Sequence, residues 1–240
     1  MREALRAGKR VRRLLVAEGP EDAVIQEAQR LARGLKVPVE GVPRDRLDLL
    51  APDNQGLAAI VSPFAYTPWS DLLARLKTLD QPPALLLLDT LQDPQNLGTL
   101  IRTSEAVGLD GVVLPERRSV AVTSAVVRSS AGAVEHLAVA RVTNLVRAAQ
   151  ELKEAGVWVA GIDVEGDRNY WELDMVGPTA LVLGGEDHGI GRLMKENCDF
   201  LVRLPMQGRV SSLNAAVAGS VVLYEMRRQR MLRAQTATQQ

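Results

Sequence analysis

The sequence has 240 residues, 46% hydrophobic and 24% charged, which excludes a disordered or fibrous chain and leaves room for one large domain or two modest ones. Its 29 Lys and Arg equal its 29 Asp and Glu, so the total charge signals neither nucleic acid nor membrane and weighs mildly against an RNA partner. One cysteine, Cys198, and two histidines, His136 and His188, allow no internal disulfide and no zinc-ligand spacing, so no metal is expected. With no apolar run near the ~18 residues of a membrane span and no apolar core in MREALRAGKR, the chain reads as cytoplasmic with no membrane partner.

In chain order, RRLLVAEG (12–19) predicts a buried strand, and 21–33 a helix with Val24, Ile25, Ala28, Leu31 and Ala32 at helical spacing. KVPVEGV (36–42) is extended, 43–51 a short helix and GLAAIVSP (56–63) a strand, which makes 1–63 a small α/β domain. Prolines at 63, 68, 82 and 83 frame 64–83, the expected linker, with one amphipathic helix between them. Its Phe64, Tyr66 and Trp69 suit either base stacking or packing onto a domain.

From 84 to 240, six apolar runs alternate with helical patterns: 84–89, 111–115, 136–140, 157–162, 179–185 and 200–205. The helices fall at 96–107, 121–130, 144–155 and 214–230. This predicts an α/β domain with a parallel sheet covered on both faces. Ligands of such sheets bind beyond the carboxyl ends of the strands, so the loops after Asp89, Leu183 and Leu204 are where chemistry belongs.

In the first loop, Asn96 is placed to cap a helix whose inner stripe is Leu97, Leu100 and Ile101, with Arg102 off that stripe. A helix N-terminus with a fixed positive charge beyond it suits phosphate, although an ordinary capped helix reads the same way. The second loop, LVLGGEDHGIGRL (181–193), carries glycines at 184, 185, 189 and 191 that permit close approach of backbone to a ligand. It lacks the dinucleotide fingerprint, and Glu186 can accept hydrogen bonds from a ligand. The third, LPMQGRVSSLNAAVAGSVV, places Ser211, Ser212 and Asn214 before a small-residue helix suited to close packing, against a second subunit among other partners.

Together these loops resemble the SpoU-type RNA ribose 2′-O-methyltransferases of the SPOUT class. Asn96 with Arg102 six residues on, the apolar strand into G-x-E-x-x-G with Glu186, and Pro-Met followed by Ser212, Leu213 and Asn214 stand in the family's order. Residues 1–63, through EALRAGKRVRRLLVAEG and NQGLAAIVSP, are similar to the ribosomal-protein-like substrate-binding domain of the family's ribosomal RNA members. No strand segment stands ahead of EALRAG, so that domain is expected to be shortened at its first strand.

The resemblance implies a parallel-sheet SPOUT domain at 84–240 with a deep C-terminal trefoil knot. It also implies S-adenosylmethionine as cofactor, bound near Leu183, Gly184, Gly185, Leu204, Met206 and Leu213, and a homodimer packed through the knotted domain. Arg102, Asn96, Glu186, Ser212 and Asn214 are the implied catalytic set. Arg102 is the family's proton acceptor, but a guanidinium is poorly suited to accept one, and a phosphate anchor is an equal reading. RNA becomes the expected partner, 23S ribosomal RNA first, with transfer RNA, a resistance-type ribosomal site or a non-catalytic RNA-binding role as alternatives. Charge distribution agrees, because Arg2, Arg6, Lys9, Arg10, Arg12 and Arg13 cluster at the start and Arg227, Arg228, Arg230 and Arg233 at the end. Arg10, Arg12 and Arg13 are the expected RNA contacts.

Overall fold

A computed structural model describes the chain apart from Met1, Lys9, Glu21, Pro52, Asp53, Asp187, Gln239 and Gln240, and apart from the side chains of Arg2, Ala237 and Thr238. Lys9 of the basic cluster and Glu21 of the first expected helix therefore lie outside the described residues. The chain divides into two compact units, Met1–Ala65 and Tyr66–Gln240.

The first unit runs α1 (Arg2–Ala7), β1 (Val11–Ala17), α2 (Ala23–Gly34), β2 (Val39–Val42), α3 (Arg44–Leu50) and β3 (Leu57–Val61). Its sheet has the order β2-β1-β3, with β1 parallel to β2 and antiparallel to β3. Alternation along β1 divides its buried residues between two faces. Leu14 and Val16 pack with Leu5, Ile25, Ala28 and Ala32, while Leu15 and Ala17 pack with Val42 and Leu47. The helix α1, unforeseen in the sequence reading, seals the first of these clusters with Leu5, which is fully buried. Asp22 caps α2 by accepting from the N–H groups of Val24 and Ile25, both at 2.9 Å.

The second unit opens with α4 (Trp69–Leu76), inside the stretch expected as a linker. Leu72 and Leu76 of α4 join the core of this unit, so the boundary falls between Ala65 and Tyr66. The aromatics there are occupied by packing: the Trp69 indole N–H donates to Glu151 Oε2 at 2.6 Å, and the Tyr66 hydroxyl accepts from Val122 N at 2.8 Å. Phe64, in the first unit, lies under the Arg10 guanidinium at 5.2 Å.

Then follow β4 (Ala84–Asp89), α5 (Pro94–Val107), β5 (Gly111–Pro115), α6 (Ser124–Ser129), β6 (Val139–Val142), α7 (Leu145–Glu154), β7 (Trp158–Ile162), β8 (Arg168–Asn169), β9 (Thr179–Gly184), α8 (Arg192–Asn197), β10 (Phe200–Arg203) and α9 (Ala215–Thr238). The sheet order is β6-β5-β4-β9-β7-β10-β8, and every pair of neighbours is parallel. Leu85 to Leu88 of β4 and the whole of β9 are buried, as a strand covered on both faces requires. One difference from the periodicity is β6, which starts at Val139 and not His136. A left-handed Gly132 and a 3₁₀ turn over Ala133–Glu135 delay it. The elements β8 and α8 are too short to leave a periodic signal, and α9 runs to Thr238, beyond the expected end at 230.

Two close approaches fix the helices. A Cβ at Gly98 would fall 1.9 Å from Ser129 Oγ, so α5 and α6 meet at backbone distance. A Cβ at Gly219 would fall 2.7 Å from Leu100 Cδ2 and 2.9 Å from Leu183 Cδ2, so the small-residue face of α9 packs within this unit on α5 and β9.

The C-terminal arginines are not uniformly available to an RNA, contrary to their reading as one basic cluster. Arg230 is half-buried, and its guanidinium donates to the carbonyls of Met175, Pro82, Pro83 and Gly177 at 2.8–3.1 Å, while burial pushes its pKa down. Arg228 pairs with Glu225 at 2.7 Å. Arg230 thus staples the end of α9 to the start of β4 and the approach to β9. Removing its donors takes a hydrogen bond from each of these carbonyls, of which Pro83 and Gly177 keep Thr179 as a second donor. Arg230→Ala is expected to destabilise the chain by about 2–4 kcal/mol in urea unfolding; a loss below about 0.5 kcal/mol, the range of an ordinary surface change, contradicts the staple.

Candidate active site

Because β4, β9, β7 and β10 are consecutive in the sheet and parallel, their carboxyl ends lie side by side. Four loops distant in sequence meet there. Asp89 Oδ2, at the end of β4, accepts from Gly191 N at 2.8 Å, which ties the first loop to the second.

The helix after the first loop is capped by Asp93 and not by Asn96. Asp93 Oδ1 accepts from Gln95 N at 2.8 Å, and Pro94 takes the first helical position, where no N–H is needed. Asn96 is therefore one turn inside α5, buried and free to bridge. Its Nδ2 donates to Glu186 Oε1 at 2.6 Å, and its Oδ1 accepts from Asn214 Nδ2 at 3.0 Å. Asn214 in turn caps α9, its Oδ1 accepting from Ala216 N at 2.9 Å and Val217 N at 3.2 Å. One hydrogen-bonded chain, Glu186–Asn96–Asn214, joins the loops after β9, β4 and β10.

Beside that chain lies a cavity of about 580 Å³, lined by Leu183, Gly184, Gly185, Leu204, Met206 and Leu213, all six of the expected cofactor residues, together with Glu186 and Ser212. Its wall demands glycine. A Cβ at Gly184 would fall 1.9 Å from the Gly189 carbonyl carbon, and Gly189 has a φ of 62°. The loop after β9 folds back on itself through a Gly185–Gly189 bridge, so the cavity wall is backbone at close range. Such a wall suits a flat heterocycle, whose edge can be read by backbone groups.

Several lining residues escaped the sequence reading: Ile162, Asp163, Val164, Glu165 and Lys195. Ile162 ends β7 and the next three follow it; the carboxyl end of this apolar strand carries no signal of its own in the sequence, because its place beside β9 is a matter of strand order. Lys195 Nζ lies 3.0 Å from the buried Asp163 Oδ2 and 2.7 Å from Glu165 Oε2; the Glu165 bond and then Asp163 raise its pKa against the opposing effect of burial, so it stays charged. Cys198 is no nucleophile, because burial and then the Asp199 charge push its thiol up to about 12.

Not every expected residue converges. Arg102 is exposed on α5, about 9 Å along the axis from Asn96 at 1.5 Å per residue, and it has no hydrogen bond or ion pair among the described residues. Ser212 lines the cavity but is exposed. In the first unit, Arg13 Nη1 pairs with Glu40 Oε2 at 2.7 Å, Arg12 Nε donates to Ser62 Oγ at 2.6 Å and Arg10 Nε to Ser62 O at 3.1 Å. Among the described residues no group of three His, Cys, Asp or Glu could hold a metal ion, and no helix is long and apolar enough to cross a membrane.

Comparison with known proteins agrees with this geometry. Residues 83–224 match the SpoU rRNA Methylase family, and residues 1–67 match the family described as RNA 2′-O ribose methyltransferase substrate binding. YacO of Bacillus subtilis (strain 168), assigned to the TrmH family of tRNA/rRNA methyltransferases, is 42% identical over 229 residues, covering 95% of this chain and 92% of that protein. The SpoU methyltransferase AviRb from Streptomyces viridochromogenes, solved with AdoMet, superposes with a TM-score of 0.79 at 29% identity over 96% of this chain and 87% of that one. The TrmH/SpoU tRNA modifying enzyme of A. aeolicus superposes with a TM-score of 0.59 at 26% identity, covering 69% of this chain and 86% of that one. A catalytic unit matched along its length, preceded by a matched substrate-binding unit, leaves one conclusion: the chain belongs to the SpoU (TrmH) family of RNA methyltransferases.

Proposed function

We propose that this protein transfers the methyl group of S-adenosylmethionine to a ribose 2′-hydroxyl of RNA, and that its substrate is ribosomal RNA, 23S ribosomal RNA first. The observation that carries the reading is the chain Glu186–Asn96–Asn214 set against a glycine-walled cavity. The cofactor fits by the chemistry of that wall: apolar Leu183, Leu204, Met206 and Leu213 with backbone at Gly184 and Gly185. When bound, S-adenosylmethionine supplies a methyl already activated on a sulfonium.

The chain's own groups then have to align the attacking hydroxyl and neutralise charge. Asn96 holds the Glu186 carboxylate in one orientation, so a ribose hydroxyl meets a fixed acceptor. Asn214, fixed by its two helix N–H groups, and Ser212 bound the same space from the third loop. Arg102 anchors an RNA phosphate and stabilises charge developing on the ribose oxygen, since a guanidinium donates and does not accept.

The preceding unit favours ribosomal RNA, because the A. aeolicus tRNA enzyme covers only 69% of this chain. Arg10, Arg12 and Arg13 contribute to RNA binding there, their intradomain bonds holding them in place along β1 and its start. The segments 184–191 and 204–214 form the deep trefoil knot, a reading supported by the approach of Gly184 to Gly189 and by their shared cavity. A homodimer through the same unit is supported by Leu213, Val217, Val221 and Tyr224, an exposed apolar stripe at helical spacing on and before α9. A cytoplasmic enzyme follows from an RNA substrate.

Two variants test the assignment. Gly184→Ala is expected to weaken S-adenosylmethionine binding about 100-fold by calorimetry, an unchanged Kd contradicting the backbone wall. Arg102→Ala is expected to lower methyl transfer about 1000-fold while cofactor binding persists; near-normal turnover contradicts its role.

A further inference from the structure

A second cavity, of about 510 Å³, adjoins the first at Glu186. Thr90 and Gln92 from one loop and Arg118 and Ser119 from another line it, and Gly185, Glu186 and His188 are shared with the cofactor cavity. We propose that this cavity is the subsite for the base of the RNA nucleotide whose ribose is methylated, with Gln92 and Ser119 reading the base edge and Arg118 meeting an adjoining phosphate. The inference rests on the methyl-transfer reading given above.

Three observations carry it. The shared wall of Gly185, Glu186 and His188 sets the cavity next to that of the methyl donor, so a ribose at Glu186 borders both. Its volume is in the range that holds a small-molecule group of nucleobase size, ~300–1,000 Å³.

The cavity is also held in a strained form. Thr90 and Arg118, neither a glycine, have φ of 62° and 58°, and both line it. Residues kept in the left-handed region by their surroundings cluster at ligand sites. The two loops are locked together by the hydrogen bond from Val120 N to Leu91 O at 2.9 Å, and Gly185 packs so closely on Thr90 that a Cβ would fall 2.6 Å from its carbonyl oxygen.

Its chemistry, finally, is that of base recognition. The Ser119 hydroxyl is buried with no hydrogen-bond partner, a vacancy rare in a folded protein. Gln92 is exposed and offers both donor and acceptor, the pairing that reads the edge of an unstacked base. Arg118 is exposed with no acidic partner among the described residues, free to meet a phosphate.

The test uses the full-length protein and the four nucleoside monophosphates, AMP, GMP, CMP and UMP, titrated against its amide NMR spectrum, with methyl transfer to unmodified ribosomal RNA assayed in parallel. At least one nucleotide is expected to shift the Gln92 and Ser119 amides. Ser119→Val and the surface variant Gln92→Ala are each expected to weaken that nucleotide and raise KM for RNA about 10-fold, with S-adenosylmethionine binding unchanged. Absence of any shift at these amides, together with unchanged KM in both variants of an active enzyme, overturns the subsite and leaves the methyl-transfer reading standing. Nucleotide binding at these amides in a protein that methylates no RNA supports the subsite and overturns that reading.

Discussion

The catalytic unit depends on how one buried amide is satisfied. Asn96 lies inside α5 with almost no exposure, and a primary amide there needs both a donor and an acceptor partner or it costs about 1–3 kcal/mol for each group left unpaired. Glu186 and Asn214 meet those needs from loops 90 and 118 residues further along the chain. The same bonds that satisfy the core therefore hold the three loops together. Capping α5 through Asp93 leaves Asn96 free for this, so a local choice at a helix end decides a long-range contact.

Around that chain, glycines remove the side chains that would separate the elements. Gly98, Gly184, Gly185 and Gly219 each bring a backbone to a distance that a Cβ would forbid. The result is two cavities, of about 580 and 510 Å³, whose walls share Gly185, Glu186 and His188.

Much of this could be read from residues alone. Long apolar runs placed β4, β5, β7 and β9 to within a residue, because a strand buried on both faces leaves an unbroken signal. Leu183, Gly184, Gly185, Leu204, Met206 and Leu213 were named through the resemblance of three loops to a family, and they line one cavity; the bond between Asn96 and Glu186 is visible only in the tertiary structure. Periodicity was blind to pairings set by strand order, which hid Asp163 and Glu165 after β7 and Lys195 on α8. It was blind also to the fate of a charge. Arg230 counted toward a basic cluster, yet the tertiary structure spends its guanidinium on four backbone carbonyls. The helix in the proline-framed stretch is legible from its amphipathic pattern, but its place is not: Leu72 and Leu76 put α4 in the core of the second unit.

If the three loops act as one unit, Asn96 and Asn214 must be energetically coupled in catalysis. The direct measurement is a double-mutant cycle on kcat/KM for RNA methylation with Asn96→Ala, Asn214→Ala and the pair. A coupling of about 1 kcal/mol or more, with the second substitution costing little once the first is made, is the predicted result. Losses that simply add would show that the two residues act independently and contradict the account.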